Sequence, residues 1–278
     1  MLQRNSLKTR RGKVSACIFP ITDSLRTYKT MNRRTVLLAV AAGFIAAACG
    51  TENNEGTKPG GTTAAEGTGL TAGEVVEKGF EHIETDGDFD LFYATGKEVA
   101  VRFEGNRDDI ARIIVKNDGH TLRFTQRGEN LNDVDVYVTS PRLEGVTLEG
   151  SGDITSESSI SAGTFDIRSS GSGDVQIHSI TADRISAELR KSGDISLNIA
   201  DADEIDYEVS GSGDITTERI STDRLEAKVS GSGDIDLSNA RIDEAECTIT
   251  GSGDIDIDGH VGRCTKNVTG SGVVDINP

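Results

Sequence analysis

Gly150-Ser151-Gly152-Asp153-Ile154 recurs along the chain with small changes: GSGDV from Gly171, KSGDI from Lys191, GSGDI from Gly211, Gly231 and Gly251, and GSGVV from Gly270. The intervals are 21, 20, 20, 20, 20 and 19 residues. A near-constant period of this length marks a solenoid, in which each repeat buries its apolar face against its neighbours. Between the corners apolar residues alternate, as in Ile185, Ala187, Leu189; Ile205, Tyr207, Val209; Leu225, Ala227, Val229; and Ala245, Cys247, Ile249. A second alternating pair follows the corner: Ile195, Leu197; Ile235, Leu237; Ile255, Ile257. Period two means strands with one buried face. The pattern predicts an all-β chain, a parallel β-helix of about 20 residues per coil, each coil advancing about 4.8 Å along the axis. The Leu and Asn positions of a leucine-rich repeat, the rival at this period, are absent.

At each corner Gly is expected to supply the backbone angles of a tight bend, and Asp to accept hydrogen bonds from amides just beyond it. Lys191 replaces a corner Gly and Val273 a corner Asp, and the latter suggests that the stack is ending. Residues 79–149 lack the corner but also read as strands: Phe89, Leu91, Tyr93; Val99, Val101, Phe103; Leu122, Phe124; and Val134, Val136, Val138. Asn117-Asp118-Gly119 is a hairpin turn. Leu143, Val146 and Leu148 lead into the first GSGDI. Residues 79–278 are therefore expected to be a single domain, with 79–149 as irregular N-terminal coils covering the open end of the repeats at 150–278.

Upstream, Met31 is a plausible start preceded by an extension, residues 1–30. Asn32-Arg33-Arg34 and the apolar run from Val36 to Ala48 have the layout of an export signal. The run is too short to span a bilayer. It ends Ala46-Ala47-Ala48-Cys49, which resembles the bacterial lipobox, so residues 31–48 read as a lipoprotein signal peptide cleaved after Ala48, with Cys49 as the lipid attachment. Arg33-Arg34 also resembles a twin-arginine signal. Residues 49–78, rich in Gly, Thr and Glu, have too little apolar surface to fold and read as a tether with a reach of roughly 30 Å.

The whole chain of 278 residues has a formal charge of −17. Residues 1–48 hold nine basic side chains and one acidic one, so their removal leaves −25. Such a charge argues against a nucleic-acid partner. It also repels anionic lipid, so membrane attachment would rest on the acyl chains at Cys49. Of the four cysteines, Cys17 and Cys49 lie outside the expected fold; Cys247 and Cys264 remain as a possible pair. Counted from their corners both face the core, but with a two-residue stagger that favours two core thiols over a disulfide.

Phe80-Glu81-His82-Ile83 with Gly87-Asp88-Phe89-Asp90-Leu91, then Leu143-Glu144-Gly145-Val146, then the train of GSGDI corners, resembles the auto-transporter adhesins with a head GIN domain. The resemblance covers about residues 79–278. It implies a right-handed parallel β-helix on a secreted or lipid-anchored bacterial envelope protein, and it brings no catalytic residues with it.

The corner residues Asp153, Asp174, Asp194, Asp214, Asp234 and Asp254 should form a ladder whose neighbours repel by about 1 kcal/mol even in water. Either backbone amides stabilise that charge or cations such as calcium sit between coils, with Asp236 and Asp256 nearby. His82, His120, His178 and His260 are scattered, without an HExxH pair or a GxSxG elbow, so no catalytic, cofactor-binding or metal residues are assigned. Arg190-Lys191 is a basic spot among carboxylates of the kind that polysaccharide-active β-helix enzymes use, although a solvated corner explains it as well. The reading is a non-enzymatic, membrane-anchored envelope protein that binds glycan or protein through its lateral surface. A polysaccharide-active enzyme and a structural or sensor component are the alternatives.

Overall fold

A strand in the repeat region finds its hydrogen-bonding partner about 20 residues further along the chain, running in the same direction. The computed structural model describes residues 35–36, 79–131 and 134–278. Cys17, Ala48, Cys49, the extension at 1–30, the tether at 49–78 and, apart from two residues, the signal at 31–48 lie outside the described residues. Those two residues, strand β1 (Thr35–Val36), pair antiparallel with Phe103 and Glu104. The chain is a parallel β-solenoid of about 7 turns with about 20 residues per turn.

Its regular coils comprise β11 (Val175–Leu189), β12 (Ile195–Val209), β13 (Ile215–Thr217) with β14 (Ile220–Val229), β15 (Ile235–Ile249) and β16 (Ile255–Val268). Successive coils pair in register, for example Val175↔Ile195 and Leu189↔Val209. In β12 the in-out alternation breaks where two outward residues follow each other, at Asn198-Ile199 and Asp203-Glu204. With the glycine corner these bends give each coil three sides. Ile195 and Leu197 line the first, Ala200 and Ala202 the second, and Ile205, Tyr207 and Val209 the third, all buried. The second side, repeated as Ile180, Ala200, Ile220 and Ala240, is too short to register as a strand in the sequence, which suggested only five inward side chains per coil. Two polar side chains in the core of the regular coils are satisfied: the Thr217 hydroxyl lies 3.1 Å from that of Tyr207, and Thr222 donates to the carbonyl of Asp203 or Arg224. Nearer the N-terminal end the buried hydroxyls of Thr85 and Ser169 have no partner.

The N-terminal region departs from chain order. Strand β2 (His82–Asp86) lies between β6 (Thr121–Gln126) and β8 (Gly145–Leu148). Likewise β3 (Asp90–Thr95) lies between β7 (Asp135–Ser140) and β9 (Ile154–Ser161). The chain therefore enters inside the stack, doubles back to build the outer coil, and resumes beyond its own starting strands. Strands β4 (Ala100–Glu104) and β5 (Ile113–Asn117), joined by the short helix α1 (Arg107–Ile110), close that end antiparallel to β7 and β6. The β5–β6 turn is the expected hairpin, with Gly119 at φ 95° and Asp118 accepting from the amides of His120 and Thr121. Strand β10 (Thr164–Ser169) joins this region to the regular coils by pairing with β8 and β11.

The corners reverse one expectation. No glycine of the GSG corners has a positive φ, so the bend does not need glycine for its backbone angles. A Cβ at Gly171, Gly231 or Gly251 would instead collide with the carbonyl oxygen of the corner glycine one coil earlier, and the second glycine of each corner is equally confined. The close approach carries a hydrogen bond: the Ser172 amide donates to Gly150 at 3.0 Å, Ser212 to Lys191 at 2.9 Å, and Ser232 to Gly211 at 2.9 Å. The series skips one step. No Ser192 to Gly171 bond forms, because the Cβ of Lys191 cannot enter the space that glycine leaves open.

The aspartates run alongside. Each Oδ1 accepts from the backbone amide of the aspartate one coil later, from Asp153 N–H on Asp90 through Asp174 on Asp153, Asp194 on Asp174, Asp214 on Asp194, Asp234 on Asp214 and Asp254 on Asp234, at 2.7 to 3.0 Å. Val273 donates to Asp254 and has no carboxylate to continue the ladder. The first rung corrects the reading of residues 79–149: Gly87-Asp88-Phe89-Asp90 is a corner, stacked beneath Gly150 and Gly152. After β17 (Val274–Asn277) covers the first side of β16, no strand among the described residues pairs with the outer edge of Gly259–Val268.

Cys264 stands opposite Ala245, and Cys247 opposite Lys266, which preserves the two-residue stagger. The sulfurs are 4.0 Å apart and both thiols are free. Cys247 is buried, and burial, reinforced by the neighbouring thiol, pushes its pKa up to about 12. Cys264 is only half-buried, and no strand among the described residues pairs beyond it.

Three outcomes follow from these contacts. Leu225→Ala should cost about 2–5 kcal/mol in denaturant unfolding, whereas Glu218→Ala on the exposed side should stay within about 0.5 kcal/mol. Asp214→Ala should be less stable than Asp214→Asn by about 1 kcal/mol, since the amide oxygen still accepts from Asp234. Lys191→Gly should bring hydrogen-exchange protection of the Ser192 amide up to that of Ser212.

Candidate functional site

Outward side chains repeat from coil to coil as strictly as inward ones, so each side of the solenoid displays columns with one residue per rung, about 4.8 Å apart. The third side is dominated by charge. One column reads Arg184, Glu204, Arg224, Glu244, Arg263. Arg184 pairs with Glu204 at 2.5 Å and with Asp206 beside it, Arg224 reaches Glu204 and Glu246, and Arg263 pairs with Glu244 at 2.8 Å. The next column holds Ser186, Asp206, Glu226 and Glu246, and the one beyond it Glu188, Glu208 and Lys228, with Lys228 paired to Glu226. Burial, only partly offset by the Arg184 guanidinium, raises the Asp206 carboxyl above the ordinary range.

The first side differs. Its column runs Arg102, Tyr137, Phe92, Thr155, Gln176, Ser196, Thr216, Asp236, Asp256, Asp275. The Arg102 guanidinium lies 3.8 Å from the ring centre of Tyr137, and Tyr137 stacks on Phe92 with ring centres 5.1 Å apart and planes 20° apart. Glu104 pairs with Arg102 and approaches the Tyr137 hydroxyl at 3.5 Å. The next four rungs are hydroxyls and an amide, flanked by His178 and Asn198, whose side chains lie 3.3 Å apart. At the far end Asp236 is raised in pKa by burial and by the carboxylates of Asp234, Asp214, Asp256 and Asp254. Asp236 and Asp256 stand on neighbouring rungs of one column.

Along the corner edge runs a groove of about 460 Å³, bounded by Gln126 and Glu129 at one end and Lys191 at the other, with Gly150 and Gly171 on its floor. Asp86, Asp88, Glu129 and Glu149 line it. Arg112 holds the overhanging loop by donating to the carbonyls of Arg127, Glu129 and Asn130. Hydrogen bonds from Ser151 and Gln126 hold the Asp88 carboxyl below its usual pKa.

The structure brings two of the four scattered histidines together. His82 and His120 have ring centres 4.5 Å apart, and burial and the second ring lower the pKa of His82. His178 and His260 stand elsewhere, on the exposed surface. Among the described residues no three His, Cys, Asp or Glu side chains group as metal ligands. The aromatic pair went unread in the sequence because Phe92 and Tyr137 both fall between inward residues and are 45 positions apart, and only the pairing of β3 with β7 stacks them.

A putative adhesin from Bacteroides fragilis has a similar structure, with a TM-score of 0.67 and 24% identity over 71% of this chain and 92% of the other. A putative adhesin from Parabacteroides distasonis gives 0.60 at 17% identity, covering 71% and 92%, and a putative lipid binding protein from the same species gives 0.56 at 18%, covering 72% and 93%. At these identities the likeness is one of fold. No curated protein matches the chain. The sequence profile of one family matches residues 79–241 and 208–277, most of the solenoid, and the chain belongs to that family, the putative auto-transporter adhesins with a head GIN domain.

Proposed function

We propose that the protein is a non-enzymatic binding protein of the bacterial cell envelope, lipid-anchored at Cys49 after cleavage behind Ala48, which presents the solenoid to glycans or proteins at cell surfaces. The observation that carries the reading is the pair of continuous lateral sides, which hold outward residues at a fixed rung spacing on a backbone paired from coil to coil. A surface of that kind suits an extended ligand contacted at many rungs. Membership of an adhesin family supports a binding role, and the similar structures carry the names adhesin and lipid binding protein. The acidic charge of the mature chain favours solubility at the surface and leaves attachment to the acyl chains.

The corner groove favours a second reading, a polysaccharide-active enzyme, because the Lys191 ammonium shares it with four carboxylates. Depolymerisation of an acidic polysaccharide that Lys191→Ala abolishes would select this reading over the first.

The anchor and the binding role are tested separately. The full-length protein expressed in a Gram-negative host should incorporate an alkyne-labelled fatty acid and sediment with membranes, and Cys49→Ala should do neither; continued labelling of the variant removes the anchor. Beads carrying the purified protein should retain intact bacterial or epithelial cells above beads carrying an unrelated acidic lipoprotein. Equal retention removes the binding role.

A further inference from the structure

Seven of the nine aromatic residues in the described solenoid are buried in the core or packed against it. Phe92 and Tyr137 are the other two, and they stack on each other on the outward first side. Burying a ring in the core stabilises the fold, whereas placing two on an outward column does little for it, so their position calls for a reason of its own. They are also held in place: Arg102 covers Tyr137, and Glu104 fixes Arg102 from below. Phe92 has a ring on one side only, since Thr155 is the next residue along the column.

The rungs beyond Phe92 carry Thr155, Gln176, Ser196 and Thr216 in line, with His178 and Asn198 alongside. The four side chains of this column are uncharged on a protein in which 27% of residues are charged. The corner aspartates run along one flank and Glu218 stands on the other, whereas the third side of the same coils is built from ion pairs. Rings followed by hydroxyls and amides at one-rung spacing match a chain of pyranose rings, whose C–H faces pack on aromatics and whose hydroxyls both donate and accept.

Charge narrows the ligand. An anionic polymer would meet the corner carboxylates Asp153, Asp174, Asp194 and Asp214, which stand two residues before each polar rung, and the Asp236, Asp256 and Asp275 end of the column. The corner carboxylates each already accept a backbone amide of the next coil, so the groups that the strip leaves to a ligand are its rings, hydroxyls and amides. A folded protein partner needs a broad apolar centre, and the apolar surface here ends at two rings. Resting on the proposed binding role, we infer that the first side of the solenoid, from Tyr137 and Phe92 to Thr216, is a docking strip for an uncharged polysaccharide running along the solenoid axis.

The test is an array of neutral, anionic and cationic polysaccharides probed with the full-length protein in detergent, beside the cell-retention assay. Neutral glycans should be retained preferentially. Phe92→Ala/Tyr137→Ala and, independently, Gln176→Glu should each weaken that binding at least tenfold with unchanged unfolding midpoints. Lys191→Ala, off the strip, should leave it intact. Preference for charged glycans, absence of any neutral ligand, or unchanged binding by both strip variants overturns the inference. If the wild-type protein retains cells and the strip variants do so equally well, the binding role stands and the strip is wrong; if the wild-type protein retains none, the binding role itself fails.

Discussion

Everything in this molecule depends on how closely one coil can lie on the next. Parallel strands must sit about 4.8 Å apart for their backbone hydrogen bonds to form, and at the corner that spacing leaves no room for a Cβ, which would strike the backbone carbonyl of the coil before. Two glycines per corner remove the obstacle, and the amide of the intervening serine then reaches the carbonyl one coil back. The aspartate adds a second bond from side chain to backbone. A column of like charges is thus tolerated because each member stabilises an amide of its neighbour, and hydrogen bonds to ionised acceptors are stronger than neutral ones. Lys191 shows the rule by breaking it: one added Cβ removes one bond while the strands on either side keep their register.

A solenoid has two open ends, and this one treats them differently. At the N-terminal end the chain doubles back so that antiparallel strands and a short helix cover the stack. At the other end β17 covers only the first side, and among the described residues no strand pairs with the outer edge of the rest of the last coil, which bears Arg263 and Lys266, the latter in a column that holds Ala227 and Cys247 in the coils below. The Lys266 ammonium reaches the carbonyl of Val274 at 2.9 Å. Charged side chains on a free strand edge oppose pairing with another chain.

The repeat made the solenoid legible, since its period and its alternation could be read from Ile205, Tyr207 and Val209 and their equivalents. Three things were not. The second side of each coil is two inward residues long, and Ala200 with Ala202 carries no recognisable period. The corner at Gly87-Asp88-Phe89-Asp90 shares only its first and last residues with GSGD, because it lies beneath the irregular cap and can hold Phe89 in the core. The order of the N-terminal strands is a long-range pairing choice that local pattern does not encode, as β2 shows by pairing with residues about 40 and 60 positions away. The docking strip is likewise a column across six rungs, and neighbours in it are at least 20 residues apart in the chain.

The charged column on the third side gives the stack a parity. Arg184, Glu204, Arg224, Glu244 and Arg263 alternate in sign from coil to coil. Removing or inserting a single coil would bring like charges face to face, while a change of two coils would leave every guanidinium beside a carboxylate. The backbone and the corner aspartates repeat with one coil as their unit, but this surface column repeats with two. Growth or shrinkage of such a chain by duplication is therefore easiest in steps of about 40 residues, and the length of the solenoid is quantised by its surface more coarsely than by its core.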